Sequence, residues 1–244
     1  MQTLHSIFLS TKQLLKLSAS VLVLTSLVAC GGNAYVDDAD RNDVITLGDS
    51  IFDLSGDIQT YLEQEAGQTF RNYTQSGAML SGGVIATAID KQYADAKSAN
   101  DNIDTVLMNG GGNDLLIPAI LLDPYGCRTH WWRWDISRSC KNLVNNSYVT
   151  GVNLLNEMAA DGVDDIVYLG YYTLPRSNAN LTKAVNYGDQ RLSDACANTV
   201  ANCSFIDPRG TVPAEHVLSD NIHPTAEGSR TLADLIWPLL APLL

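Results

Sequence analysis

Positive charge is scarce in this sequence: 15 Lys and Arg stand against 27 Asp and Glu, a formal net charge of −12. A chain this acidic is a poor match for nucleic acid or any other polyanion, so no nucleic-acid partner is expected. Metal-ligand spacing is missing too. The five cysteines form no Cys-x-x-Cys pair and the four histidines no His-x-x-x-His pair, so no metal is expected. The run Gly110-Gly111-Gly112 is not followed by the Gly-Lys-Ser/Thr of a phosphate-binding loop. Internal repeats and low-complexity tracts are absent, which sets solenoids and disordered tails aside. With 45% hydrophobic and 17% charged residues, what remains is one folded domain with a full core and too little chain for two.

The first 29 residues hold Lys12 and Lys16, no acidic residue, and an apolar run from Leu17 to Ala29. That run falls short of the roughly 20 apolar residues a membrane-spanning helix needs. A positive flank before a short apolar stretch is the pattern of an export signal. Its end, Leu27-Val28-Ala29-Cys30-Gly31, resembles a bacterial lipobox, which implies that Cys30 becomes the lipidated first residue of the mature protein. Gly31 in place of Asp implies outer-membrane sorting if the host is Gram-negative. Residues 1–29 then read as the signal peptide and 30–42 as a polar tether. An exported compartment permits disulfides. Cys127, Cys140, Cys196 and Cys203 allow three connectivities, and sequence proximity favours Cys127–Cys140 and Cys196–Cys203.

From residue 43 to 244, strand and helix patterns alternate. Short β-branched, apolar runs predict strands at Val44–Leu47, Thr69–Tyr73, Thr105–Met108, Asp165–Leu169 and Ser204–Ile206. Helical spacing predicts helices over Ile58–Glu65, Val84–Ala96, Val152–Ala160, Asn180–Cys196 and Ala226–Leu240. The alternation implies a parallel sheet covered by helices on both faces. One stretch breaks it: Leu122–Asn146, with Trp131, Trp132, Trp134 and two cysteines, reads as an ordered insertion.

Three segments carry chemistry. Gly48-Asp49-Ser50 directly follows the first strand, at the strand end where parallel sheets bind ligands. Taken alone, Ser50 there is an ordinary helix cap. Near the far end, Asp220-Asn221-Ile222-His223-Pro224 sets an acid three residues before a histidine, so one tight loop can present both. A serine hydroxyl needs such a base, and the base an orienting acid. Between them, Gly111-Gly112-Asn113-Asp114 ends a strand with glycines that allow close backbone approach and an amide donor for a developing oxyanion.

Together these blocks resemble the SGNH (GDSL-type) hydrolases. Gly48-Asp49-Ser50-Ile51 is similar to the first family block, with Ile51 where the family name has Leu. Asn72-Tyr73-Thr74-Gln75-Ser76-Gly77 is similar to the second, Gly111-Gly112-Asn113-Asp114 to the third and Asp220-Asn221-Ile222-His223 to the last. The resemblance implies a three-layer α/β/α, flavodoxin-like domain with a central parallel sheet. It implies ester hydrolysis without a cofactor, through catalytic Ser50, His223 and Asp220 and an oxyanion hole of Ser50, Gly77 and Asn113; Gly82 and Gly83 compete with Gly77. The substrate follows less directly. Lipid or short-acyl esters, a carbohydrate ester deacetylated on a polysaccharide or peptidoglycan, and a non-catalytic surface binding role are the three readings. The Trp131-Trp132-Arg133-Trp134 cluster suits the first two equally, since aromatic rings line acyl pockets and stack on sugars.

Overall fold

The chain threads outward in two directions from a central pair of strands. In a computed structural model describing residues 34–82, 87–129 and 135–244, the strands are β1 (Arg41–Leu47), β2 (Phe70–Asn72), β3 (Thr105–Met108), β4 (Asp165–Leu169) and β5 (Cys203–Ile206). They form one sheet in the order β2-β1-β3-β4-β5 with every pairing parallel. That is the flavodoxin-like order. Val44, Ile45, Val106, Leu107, Met108, Ile166, Val167 and Leu169 are all buried. Such continuous burial is what a parallel sheet covered on both faces requires.

The helices are α1 (Ser50–Asp53), α2 (Asp57–Ala66), α3 (Ile89–Ala99), α4 (Gly112–Leu121), α5 (Arg138–Ala160), α6 (Ala179–Asn198) and α7 (Ala226–Leu240). α2 packs against α7, while α4, α5 and α6 pack on one another. Two disulfides pin the second group. Cys127–Cys140 ties the segment after α4 to the first turn of α5, and Cys196–Cys203 ties the end of α6 to β5. Both are the pairings that proximity favoured.

The strands and the closing helix lie within a residue or a few of their predicted positions; other parts of the chain differ. The predicted helix over Val152–Ala160 starts instead at Arg138, capped by Ser137, whose hydroxyl accepts the Cys140 N–H at 3.0 Å. Residues 138–146 thus belong to a helix and not to the insertion. Asn145, Asn146 and Gly151 are weak helix formers and masked it, while Val144, Ser147, Gly151, Leu154 and Met158 fall on its buried side. Helix α4 went unpredicted, because Leu115-Leu116-Ile117-Pro118 has no polar face to give it a period and holds a proline. The tether is partly docked: Val36 pairs with Asn72 through two hydrogen bonds of 2.9 and 3.0 Å, and the Tyr35 ring lies 5.0 Å from that of Tyr73. Helix α3 begins at Ile89, and Val84 and Ile85 of its predicted start lie outside the described residues. So do the signal peptide, Cys30, Gly83 and Trp131 to Trp134.

Besides the Cys127–Cys140 bridge, what remains of the insertion is organised around one carboxylate. Asp123, in a left-handed conformation (φ 47°), accepts the N–H groups of Cys127, Arg128 and Thr129 at 2.7–3.0 Å and the Thr129 hydroxyl at 2.6 Å. Burial alone would push this carboxyl up, but those four donors outweigh it and hold its pKa below the usual value.

Candidate active site

The chain leaves β1 toward β2 on one side, and leaves β3 toward β4 on the other, so the switch point lies between the carboxyl ends of β1 and β3. Ligand crevices open there in sheets of this kind. Ser50 sits just past β1, in the first turn of α1, and Asn113 in the first turn of α4 after β3.

Ser50 is not the helix cap. Asp49 is: its carboxylate accepts the Ile51 N–H at 3.0 Å, which leaves the Ser50 hydroxyl for another partner. That partner is His223. Its Nε2 lies 2.8 Å from Ser50 Oγ and its Nδ1 lies 2.7 Å from Asp220 Oδ2. Both Ser50 and His223 are buried, whereas Asp220 faces solvent. Burial acts to raise the Asp220 pKa, but the His223 ring and the His223 and Ile222 N–H groups outweigh it and hold the carboxyl below its usual value. Those N–H groups donate to Asp220 Oδ1 at 3.0 and 2.9 Å, so the acid is fixed by the turn it belongs to.

The turn itself depends on Asn221. Its φ of 69° lies in the left-handed region, which asparagine tolerates better than most residues. Its side-chain oxygen accepts the Arg176 N–H at 2.6 Å, and the Tyr172 hydroxyl donates to the neighbouring Ile222 carbonyl. The loop is therefore tied to the segment following β4, and Asp220 and His223 arrive at Ser50 as one rigid unit.

On the opposite side, Asn113 Nδ2 donates to the Ala78 carbonyl at 2.9 Å. One hydrogen of that amide remains for a ligand. The bond also sets Asn113 beside Gly77, whose φ is 85°. Two carboxylates hold this glycine's loop. Asp53 accepts the Ser76 N–H and hydroxyl at 2.7 and 2.6 Å, and buried Asp114 accepts the Leu80 and Ser81 N–H groups, both at 2.8 Å. Among the described residues no protein acceptor takes the Ser50 or Gly77 N–H. Gly82 lies farther along on an exposed turn, so Gly77 is the better-placed donor of the two.

Behind Ser50 lies a polar layer that sequence reasoning missed. Asn109 and Asp49 exchange two hydrogen bonds: Asp49 N–H to Asn109 Oδ1 at 2.9 Å, and Asn109 Nδ2 to Asp49 Oδ1 at 2.8 Å. Tyr171 donates its hydroxyl to Asp49 Oδ2 at 2.6 Å. Burial pushes the Asp49 pKa up, against those donors and His223. Gln92 of α3 bonds both the N–H and the carbonyl of Gly48, at 2.8 and 2.9 Å. A Cβ at Gly48 would sit 1.9 Å from Asn109 Oδ1, so only glycine lets these two segments meet. Asn109 directly follows one predicted strand and Tyr171 comes two residues after another, which is the one signal that could have found them.

A pocket of about 700 Å3, counting its open mouth, runs from Ser50, Gly112 and Asn113 back between α4, α5 and α6. Its walls are apolar, including Leu115, Leu116, Val144, Leu174, Val185 and Leu192.

No protein-family description and no curated protein sequence matches this chain. Solved structures do. A lipase from a goat rumen metagenome aligns over 80% of this chain and 95% of its own, with a TM-score of 0.59 at 14% identity. An acetylxylan esterase of Geobacillus stearothermophilus aligns over 80% and 92%, with a TM-score of 0.54 at 16% identity. A protein of Slackia heliotrinireducens classed with the SGNH hydrolases aligns over 79% and 95%, with a TM-score of 0.54 at 16% identity. The chain thus has the α/β fold of the SGNH hydrolases.

Proposed function

We propose that the protein is a serine esterase that cleaves carboxylic esters through an acyl-enzyme, and that its natural substrates carry lipid-like or short acyl chains. One observation carries the reading: the unbroken line from Ser50 Oγ through His223 to Asp220, with contacts of 2.8 and 2.7 Å. His223 Nε2 takes the Ser50 proton as Oγ attacks the ester carbonyl, and Asp220 holds the ring and offsets its charge. The Ser50 and Gly77 N–H groups and the free Asn113 hydrogen receive the oxyanion. His223 then returns the proton to the leaving alcohol, and water releases the acyl group by the same path.

The leucine and valine walls of the pocket support an acyl chain over an acetyl group, since an acetyl methyl would leave them without an apolar partner. A glycan deacetylase is the second reading, favoured by the likeness to an acetylxylan esterase. A panel of p-nitrophenyl esters of increasing chain length, beside acetylated xylan and acetylated peptidoglycan, separates the two. Peak activity at intermediate chain length supports the first reading. Activity confined to acetylated glycan supports the second, and turnover of none of these overturns both.

The Cys127–Cys140 bridge anchors the first turn of α5, whose Val144, Ser147 and Tyr148 line the pocket. Replacing both cysteines by serine is expected to shift activity among esters of different chain length while acetyl esters still turn over. Uniform loss across the panel with a lower Tm would assign the bridge to stability alone.

The lipid anchor belongs to the same proposal: export with Cys30 lipidated, and membrane attachment through that lipid. Cys30→Ser is expected to move the protein from the membrane fraction to the soluble one. A mutant that still sediments with membranes rules out Cys30 as the anchor.

A further inference from the structure

A glycine inside a helix weakens it relative to alanine, because glycine loses more backbone freedom on folding. Gly188 stands in the middle of α6 without either of the usual reasons for being there. Among the described residues, every other glycine has one of the two. Most take a positive φ, as Gly67, Gly162 and Gly210 do. The rest sit where a Cβ would meet another atom, as at Gly110, 2.4 Å from the Ile89 side chain, or Gly170, 2.7 Å from the Phe205 ring. Gly188 has helical backbone, and a Cβ built on it would find no heavy atom within 4 Å.

That empty space is the pocket. Leu181, Val185, Leu192 and Ala195 belong to the buried stripe of α6, and steps of three and four residues put Gly188 in the middle of the same stripe. The four side chains are buried, yet Gly188 is partly exposed. A position aimed at the interior, partly exposed and with nothing beside its Cβ, faces a cavity. Val185, Gly188 and Leu192 all line the pocket that begins at Ser50. Leu115 and Leu116 of α4 and Val144 of α5 supply other parts of its wall.

The acyl part of a substrate is what enters. The pocket lining includes Ser50 and Asn113 but not His223. An ester with its carbonyl carbon on Ser50 and its oxygen at Asn113 must turn its leaving alcohol to His223, which protonates it. The acyl chain is left to run between α4, α5 and α6.

We propose that Gly188 is the specificity-determining residue of this pocket: its missing side chain keeps open the apolar room that receives the acyl chain, so the preferred substrates are esters of plain fatty acyl chains and not acetyl esters. The proposal rests on the esterase reading above and narrows it to lipid-like chains. A side chain at position 188 would project from the centre of the stripe into the room the chain occupies. No neighbour has to move to admit it, so its effect falls on the substrate and not on the helix. Each methylene kept out of an apolar pocket forfeits about four-fold in kcat/KM.

The test measures kcat/KM for p-nitrophenyl acetate, butyrate and octanoate, and for octyl acetate, in the native enzyme, Gly188→Ala and Gly188→Leu. The native enzyme is expected to prefer octanoate to acetate. In Gly188→Leu the ratio of octanoate to acetate is expected to fall by about ten-fold or more, the worth of roughly two excluded methylenes. Gly188→Ala is expected to lower the ratio less, by about two- to four-fold, and it guards against a folding defect. With open space around its Cβ and a better helix former in place, its Tm is expected to rise by about 2 °C. A native preference for acetate, a ratio unchanged in Gly188→Leu, an equal fall for both esters, or a lower Tm in Gly188→Ala each overturns the proposal. So does a loss confined to octyl acetate, which would put the alcohol in the pocket. Turnover of none of these esters by the native enzyme would instead sink the esterase reading.

Discussion

Ser50→Ala is expected to lower ester turnover by about six orders of magnitude, the scale seen when the serine of a Ser–His–Asp protease is removed. The expected loss is in kcat, because the hydroxyl forms the bond to the carbonyl carbon and nothing nearby can replace it. The fold is expected to survive. The Ser50 hydroxyl bonds His223 and lies outside the Asp49–Asn109–Tyr171 layer that holds the turn. His223→Ala is expected to match it. Asp220→Asn is expected to lose less, since an asparagine still accepts the His223 and Ile222 N–H groups through one oxygen. Circular dichroism and Tm on each variant, beside p-nitrophenyl ester kinetics, separate chemistry from folding. A folded Ser50→Ala enzyme that still turns over esters would falsify the nucleophile assignment. With its pKa held below the usual carboxylate value, Asp220 is expected to stay ionised throughout the range in which an imidazole titrates. A loss of activity toward acid within that range therefore reports a group other than Asp220.

Asn113→Ala is expected to lower kcat by about 10²–10³-fold, or roughly 2.7–4 kcal/mol of transition-state stabilisation, with KM little changed. The reasoning is geometric. One amide hydrogen of Asn113 is held by the Ala78 carbonyl at 2.9 Å, which aims the other toward the space before Ser50 and Gly77. A donor fixed in this way costs nothing to reorganise as charge develops on the substrate oxygen. Alanine also removes the tie between α4 and the Gly77 loop, but Asp114 still holds Leu80 and Ser81 in place. The loop is therefore expected to keep its position. A rise in KM at constant kcat would make Asn113 a ground-state binding residue and leave the oxyanion to the two backbone donors.

Much of this centre was legible before the fold. Asp-x-x-His is local: a turn of four residues brings acid and imidazole together, whatever the rest of the chain does. Ser50 and Asn113 were legible for a different reason. Each follows a strand whose β-branched run is unmistakable, and parallel sheets put such residues at one edge. The polar layer was not legible. Asp49, Asn109, Tyr171 and Gln92 come from four segments, and each alone is unremarkable in a loop or helix. Asp114 was visible beside Asn113, but its bonds to Leu80 and Ser81 cross more than 30 positions of chain.

The amino-acid sequence by itself determined the parallel α/β class, the order of strands and most helices along the chain, and the serine, histidine, acid and amide at the centre; it favoured the two disulfide pairings without fixing them. All of these rest on short-range regularities: period, caps, β-branched runs and spacing of a few residues. Tertiary structure alone decided the start of α5, the existence of α4, the choice of Asp49 over Ser50 as cap, and the pocket with Gly188 in its wall. The physical reason is the same in each case. Helix α4 has no polar face to reveal it and is stabilised by the burial of Leu115, Leu116 and Ala119, and α5 is held through weak helix formers by packing and a disulfide. The pocket exists only because α4, α5 and α6 pack on one another, and no stretch of sequence records which of their side chains will line the space left between them.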